Sequence, residues 1–305
     1  MSFNQYTWDL YKQTTIGIEM IKYFSDAGGY VLFKDYCPYA NFIPEDLYND
    51  WLENIYCYGV SDYDHPSSLE EAKDLYISLI TLGIRVEGQQ WLPANDFKNM
   101  LGIIQPMSYV LSQFAPEYFF PYLFLCRIFE LNKIADFFNI DLPNIPKRTD
   151  YKGRCMYYWE LCEVFYLFRK ENGLSPADLW SFLYDFAPNN LPSEKIDMPK
   201  PSQVWFIGGR LYQEDKSLES KFWQSSPETK KGDILVHYET SPISAITCIE
   251  ISLTDGVIDP LFRYYGCIYI GNRINIPHIT LKELQTDEYF FKHPLVRKNF
   301  QGVNG

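Results

Sequence analysis

Histidine is scarce in this chain, which has four in 305 residues, and the four form no HxH or HExxH pair. A GxSxG elbow, a phosphate-binding glycine loop and a dinucleotide-binding glycine motif are missing as well. The local signatures of zinc hydrolases, α/β-hydrolases and nucleotide-binding folds are therefore absent from the sequence. This favours a protein that does not catalyse a reaction, and it predicts neither a metal nor another cofactor.

Cysteine pairs and long apolar runs are also lacking. The seven cysteines form no CxxC pair, which indicates buried, reduced thiols rather than a disulfide framework or a zinc ribbon. No stretch reaches the roughly 18 apolar residues needed to span a bilayer. The first residues also lack the basic and apolar regions of a secretory signal. We expect a soluble, cytoplasmic protein with no membrane partner.

Positive charge is in short supply in the first two thirds of the chain. The net charge is −12. Residues 199–305 contain 12 basic and 12 acidic side chains, whereas residues 1–198 contain 15 basic and 27 acidic ones. An acidic surface repels phosphate, so we expect the N-terminal part to bind a protein partner rather than nucleic acid. The neutral C-terminal part would have to bind nucleic acid mainly through contacts to the bases, or together with a partner that supplies basic surface.

The first 190 residues have the apolar periodicity of helices. Ser68 with Glu71, and Ser175 with Asp178, form the capping pattern that starts a helix. One short extended piece, Ile84–Val86, is predicted to pair with Tyr30–Phe33.

A segment with four prolines and little periodicity then separates the helical part from a part made of short strands. We predict an α+β protein with three parts. These are a mainly helical acidic domain over residues 1–190, a proline-rich linker over 191–202, and a small β-domain over 203–305.

The sharpest pattern in the β-domain is a predicted hairpin that follows Gly232-Asp233. Two runs of β-branched, apolar and aromatic residues flank the turn Thr240-Ser241-Pro242. Such runs around a turn are typical of paired strands with at least one buried face. Because His237 and Tyr238 are neighbours on the first strand, their side chains must point to opposite faces of the sheet.

The order of several pieces in residues 203–305 resembles the EVE branch of the PUA-like superfamily. These pieces are VWFIGGR, then FW, then GDILVHYETSP, then IPHITLKEL. The resemblance covers about a third of the chain. It implies a small, bent β-barrel that binds RNA or DNA and holds a modified or flipped base in an aromatic cage. It also implies membership of a restriction or defence assembly.

The same resemblance implies a set of site residues. It places Trp205 on the first strand and Trp223 in a loop that borders the pocket. A base would stack on aromatic rings, and basic side chains would contact the flanking phosphates. The implied base-binding residues are Trp205, Phe206, Trp223, Tyr238, Ser241 and Pro242. Apart from the resemblance, the basic side chains of Arg210, Lys230 and Lys231 are predicted to contact the phosphates that flank the base.

The residues alone leave other interpretations open. The aromatic rings also fit the core of a small barrel. The function predicted from the sequence is noncatalytic recognition of nucleic acid. One alternative is a protein–protein adaptor, which the overall acidity favours. Another is a metal-dependent nuclease built on Asp233, Glu239 and Glu250.

Overall fold

A computed structural model describes residues 3–37, 40–86, 89–192, 198–209, 220–263 and 265–301. The chain divides into two compact units. A helical unit comprises Met1–Ser193 together with Asp259–Arg263, and a C-terminal unit comprises Glu194–Ile258 and Tyr264–Gly305. The predicted α+β class is confirmed. The short segment Asp259–Arg263 differs from the sequence-based division, which placed it in the C-terminal part.

The helical unit contains eleven α-helices among its described residues. They are α1 (Gln5–Gln13), α2 (Thr15–Asp26), α3 (Gly29–Tyr36), α4 (Glu45–Ile55), α5 (Leu69–Leu82), α6 (Phe97–Met100), α7 (Ile104–Phe114), α8 (Ile128–Phe138), α9 (Tyr151–Glu171), α10 (Pro176–Ser181) and α11 (Ala187–Asn190). None of the helices in the described part of the chain combines the length and the apolarity that a membrane span requires.

The predicted helix starts are confirmed. The Ser68 hydroxyl accepts a hydrogen bond from the Glu71 backbone N–H at the start of α5. At α10, Ser175 and Asp178 form the full reciprocal capping box. Each of these contacts satisfies a backbone donor that the first turn of a helix leaves without a partner.

The pairing predicted for Ile84–Val86 is wrong. This segment is strand β1, and it pairs with β2 (Gln89–Leu92) in a two-stranded antiparallel sheet. Tyr30–Phe33 lies in helix α3, where Leu32 and Phe33 are buried. The Phe33 ring stacks on Tyr48, with 4.3 Å between ring centroids. This tertiary contact outweighs the strand preference of the β-branched and aromatic residues in the segment.

Asp259 is a buried carboxylic acid in the helical unit. Its two oxygens accept hydrogen bonds from the backbone N–H groups of Cys126 and Leu261. The nearby Arg154 guanidinium donates to the carbonyls of Pro260 and Phe262. Burial raises the pKa of Asp259 to about 7, although the hydrogen bonds and Arg154 oppose this effect.

This raised pKa predicts a specific pH dependence. The folded protein holds the Asp259 proton more tightly than the unfolded chain, where the pKa is about 4. Stability from this group is therefore full below about pH 4 and is lost as pH rises to about 7. We expect Asp259→Asn to reduce that loss by at least about 1 kcal/mol. Urea unfolding of the wild type and of Asp259→Asn at several pH values between about 4 and 7 measures this difference. The same dependence of stability on pH in the two proteins would contradict the prediction.

The C-terminal unit is built on a nearly closed, barrel-like sheet of six described strands. They are β3 (Val204–Gly209), β4 (Ser220–Gln224), β5 (Ile234–Glu239), β6 (Ala245–Ser252), β7 (Val257–Ile258) and β8 (Gly266–Thr280). The strand order is β3-β5-β6-β8-β4, with β7 beside β8. Strands β3 and β5 are parallel, and the other neighbours are antiparallel. The predicted β5–β6 hairpin is confirmed.

The sheet has apolar clusters on both faces, because successive side chains along a strand point in opposite directions. One face carries the indoles of Trp205 and Trp223, and we call it the tryptophan face. Its buried cluster consists of Ile207, Leu235, Ile268 and Ile270.

Two short helices, α12 (Leu281–Thr286) and α13 (Pro294–Arg297), pack on the other face. We call it the helix-covered face. Its buried cluster consists of Tyr238, Ile246, Leu284, Val296 and Phe300.

Candidate functional site

The tryptophan face brings two of the predicted base-binding residues together. Trp205 on β3 and Trp223 on β4 are both half-buried and pack against the same apolar cluster. Each indole therefore combines a fixed position with some accessible surface. Trp223 does not lie in a loop, as the resemblance implied, but in a strand that pairs with β8, where it faces Ile268.

Gly209 lets the Trp223 ring approach the end of β3. A Cβ atom at position 209 would lie 2.6 Å from the Trp223 ring, well inside van der Waals contact. Gly209 therefore permits a close approach between the backbone of β3 and an indole of the same unit.

Asp233 holds the start of β3 against the start of β5. Its Oδ1 accepts hydrogen bonds from the Ser202 N–H, the Ser202 hydroxyl and the Gln203 N–H. Its Oδ2 accepts from the Trp205 indole N–H and the Lys230 N–H, each at 2.9 Å. Burial raises the pKa of Asp233, but these hydrogen bonds outweigh burial and bring the pKa far below its ordinary value. The carboxylate therefore also sets the orientation of Trp205.

A buried acid–base group lies beside Trp223. The ring of His237 makes a T-shaped contact with the indole, with 4.7 Å between centroids. His237 Nδ1 is 3.3 Å from Glu250 Oε2, and the Arg273 Nε donates to Glu250 Oε1 at 2.8 Å. His237 and Glu250 are buried, whereas a quarter of the Arg273 side chain is exposed. The Arg273 side chain therefore extends from this buried group to the surface.

The electrostatics of Glu250 follow from these contacts. Burial alone raises the pKa of a carboxylic acid because it disfavours the charged form. The hydrogen bond with His237 and the charge of Arg273 outweigh this, so the pKa of Glu250 lies below its ordinary value. Glu250 is thus a buried carboxylate whose two oxygens are both engaged. Such a group is costly to bury, and removing one partner leaves the other charge uncompensated.

Phe206 and Tyr238 lie on the helix-covered face and are not brought together with the two tryptophans. The Tyr238 ring is buried and stacks on Phe300, with 4.1 Å between centroids and 8° between ring planes. Phe206 contacts the same Phe300 ring edge-on at 5.4 Å. These two rings form part of the core under α12 and α13.

The remaining predicted residues lie around the ends of β5. Ser241 and Pro242 are exposed in the β5–β6 turn. The Lys230 side chain is exposed, and its Nζ lies 4.0 Å from Asp255. The Lys231 backbone N–H donates to the same carboxylate. Arg210 lies outside the described residues.

Sequence reasoning missed the grouping of Cys248, Glu250 and Arg273 around His237. His237 lies directly opposite Cys248 in the β5–β6 pair, and Glu250 follows two residues later on the same face of β6. The alternation Cys-x-Glu in a predicted strand was a usable signal. The sequence could not show which residues of β5 and β6 lie opposite each other, because a register shift between His237 and Tyr238 changes the pairing.

Comparison with known proteins adds little to this picture. No family model matches the chain, and no curated protein matches it. Among solved structures, it is similar to the NMR structure of Rpa0253 from Rhodopseudomonas palustris, with 13% identity and a TM-score of 0.28. That match covers 31% of this chain and 77% of the other. A TM-score of this size carries no argument about fold or function.

Proposed function

We propose that the C-terminal unit recognises nucleic acid without cleaving it, by holding one flipped or modified base against the tryptophan face. The observation that carries the proposal is the pair of half-buried indoles, Trp205 and Trp223, on one face of the sheet. Stacking of a base on such a ring contributes about 1–3 kcal/mol and tolerates any base, because every base has a π-face.

Arg273 supplies the polar contact in this proposal. Glu250 orients its guanidinium, and a quarter of the Arg273 side chain is exposed. A planar guanidinium offers several donors in a rigid arrangement and suits the edge of a base or a phosphate oxygen. Phe206 and Tyr238 do not take part in this version of the site, because they pack in the core of the opposite face.

The same contacts argue against the nuclease alternative. Both oxygens of Asp233 accept hydrogen bonds that hold β3 to β5. Glu250 is 2% exposed, which keeps a phosphodiester away from its oxygens. Metal-dependent cleavage requires carboxylate oxygens that are open to the metal and the phosphate. The function that we propose for the C-terminal unit is therefore noncatalytic.

Two further parts of the proposal rest on the sequence. We assign the C-terminal unit to the PUA-like superfamily, in its EVE-like branch, and place the protein in a cytoplasmic restriction or defence assembly. The helical unit would bind a protein partner in that assembly, since residues 1–198 carry the whole excess of acidic side chains. In the adaptor alternative, the helical unit binds the same protein partner, but the C-terminal unit does not bind nucleic acid.

A titration of the full chain tests the proposal. Fluorescence anisotropy would compare labelled single- and double-stranded oligonucleotides, with and without modified bases, at two salt concentrations. We expect a preference for one modified base and a loss of affinity of about 10-fold or more in Trp223→Ala, from the lost stacking. A melting curve of the variant checks that it is folded.

Tyr289→Ala serves as the matched control, because Tyr289 is an aromatic residue of the same unit that is 80% exposed and lies away from the tryptophan face. Its affinity should equal that of the wild type. Equal losses in both variants, or no binding at low salt, would overturn base recognition at this face. Absence of binding would favour the adaptor.

A further inference from the structure

The β5–β6 hairpin gathers three potential metal ligands of different kinds. The imidazole of His237, the thiol of Cys248 and the carboxylate of Glu250 offer ligand atoms that all lie within 4.8 Å of one another. The three side chains are 0–2% exposed. His237 lies opposite Cys248, and Glu250 is two positions further along the same face of β6.

We propose that His237, Cys248 and Glu250 bind one divalent transition-metal ion of the zinc class in the C-terminal unit. One nitrogen, one sulfur and one oxygen donor form a set that suits zinc, which takes thiolate, imidazole and carboxylate ligands. Calcium and magnesium need several oxygen donors, and this group offers a single carboxylate. The inference is independent of nucleic-acid recognition.

The spacing of the nitrogen and oxygen donors agrees with this choice. His237 Nδ1 and Glu250 Oε2 are 3.3 Å apart. Two ligands bound tetrahedrally to zinc at about 2.0–2.1 Å are separated by about the same distance. A cation can therefore replace the proton between these two atoms with little movement of either strand. Only the thiol of Cys248 has to approach.

The unpartnered nitrogen of His237 is a second, independent observation. When Nδ1–H donates to Glu250, Nε2 is a bare acceptor, and it is buried with no hydrogen-bond partner among the described residues. A cation at Nδ1 moves the ring proton to Nε2, so the bare buried acceptor becomes an N–H group of a ring that packs against Trp223.

The charges also balance. Metal binding requires the thiolate of Cys248, so its thiol releases one proton to the solvent. One thiolate and one carboxylate then offset the two charges of the ion, and the partly exposed Arg273 side chain carries the remaining positive charge. Arg273 keeps its hydrogen bond to Glu250 Oε1 and orients the ligand from outside.

Titration of the full chain with Co²⁺ tests the site. We expect one ion per chain, a near-ultraviolet charge-transfer band from a single thiolate, displacement by Zn²⁺, and release of one proton per ion. The band should vanish in Cys248→Ser and persist in Cys267→Ser, which alters another buried cysteine of the same unit outside the group. A missing band in the wild type, or an equal band in Cys248→Ser, would overturn the proposal.

A measurement on the wild type keeps the test decisive if Cys248→Ser does not fold. Cadmium NMR of the Cd²⁺-loaded protein should report one sulfur ligand together with nitrogen and oxygen. A shift typical of oxygen ligands alone would overturn the site. Because no nucleic acid is present in either experiment, failure here is separate from failure of base recognition.

Discussion

Asp233→Asn is expected to lower the free energy of unfolding of the C-terminal unit by about 3 kcal/mol. The carboxylate accepts five hydrogen bonds, which connect Ser202, Gln203, Trp205 and Lys230. Hydrogen bonds to a charged group contribute about 1.5–3 kcal/mol each, and an asparagine amide retains only one accepting oxygen. Losing the donors on one side weakens the attachment of the start of β3 to β5. Urea unfolding followed by circular dichroism measures the change.

The matched control for this variant is Asp255→Asn. Asp255 accepts the Lys231 N–H and lies 4.0 Å from Lys230, but its side chain is 61% exposed. We expect a change below about 1 kcal/mol. Equal effects of the two substitutions would contradict the role assigned to Asp233.

The depressed pKa of Asp233 gives this prediction a pH signature. Its stabilising effect is full above the unfolded pKa of about 4 and is lost as pH falls towards the lower folded pKa. The difference in stability between the wild type and Asp233→Asn should therefore shrink below about pH 4.

Glu250→Gln is expected to destabilise the same unit by about 3 kcal/mol or more. Breaking a buried ion pair by removing one partner costs about 3–5 kcal/mol, because the remaining charge loses its compensation. The partner here, Arg273, is a quarter exposed, which places the effect at the lower end of that range. Glu228→Gln, at an exposed position of the same unit, should leave stability unchanged within about 0.5 kcal/mol.

A double variant separates the ion pair from simple packing. In Glu250→Gln/Arg273→Met, no charge remains uncompensated. We expect the double variant to be more stable than the sum of the two single changes predicts, by at least about 1 kcal/mol. Additive effects would show that Glu250 and Arg273 do not depend on each other.

The parts of the fold that depend on residues close together in the sequence were predictable. Helix starts at Ser68 and Ser175 follow from side chains that cap their own first turn. The β5–β6 hairpin follows from a turn between two β-rich runs.

The parts set by distant contacts were not predictable. Tyr30–Phe33 looks like a strand but is helical, because Phe33 packs on Tyr48. Trp223 belongs to a strand rather than a loop, because β4 pairs with β8, more than 40 positions further along the chain.

Only part of the candidate site was predictable from the sequence. Aromatic content indicated stacking residues, and Trp205 and Trp223 do share a face. Alternation along a strand predicted that the side chains of Tyr238 and His237 point to opposite faces of the sheet. It could not predict which of the two faces is covered by helices. Helices α12 and α13 decide that question, because their apolar residues cover Tyr238. The contacts of Glu250 depend on strand register, which a shift beside His237 alters.

The contribution of one base to binding tests the central claim most directly. The full chain would be titrated with an oligonucleotide that carries the preferred modified base, and with the same oligonucleotide lacking only that base. We predict that removal of the base weakens binding to the wild type about 10-fold or more, and that Trp223→Ala binds both equally and weakly. Equal binding of both oligonucleotides by the wild type would contradict base recognition by the tryptophan face.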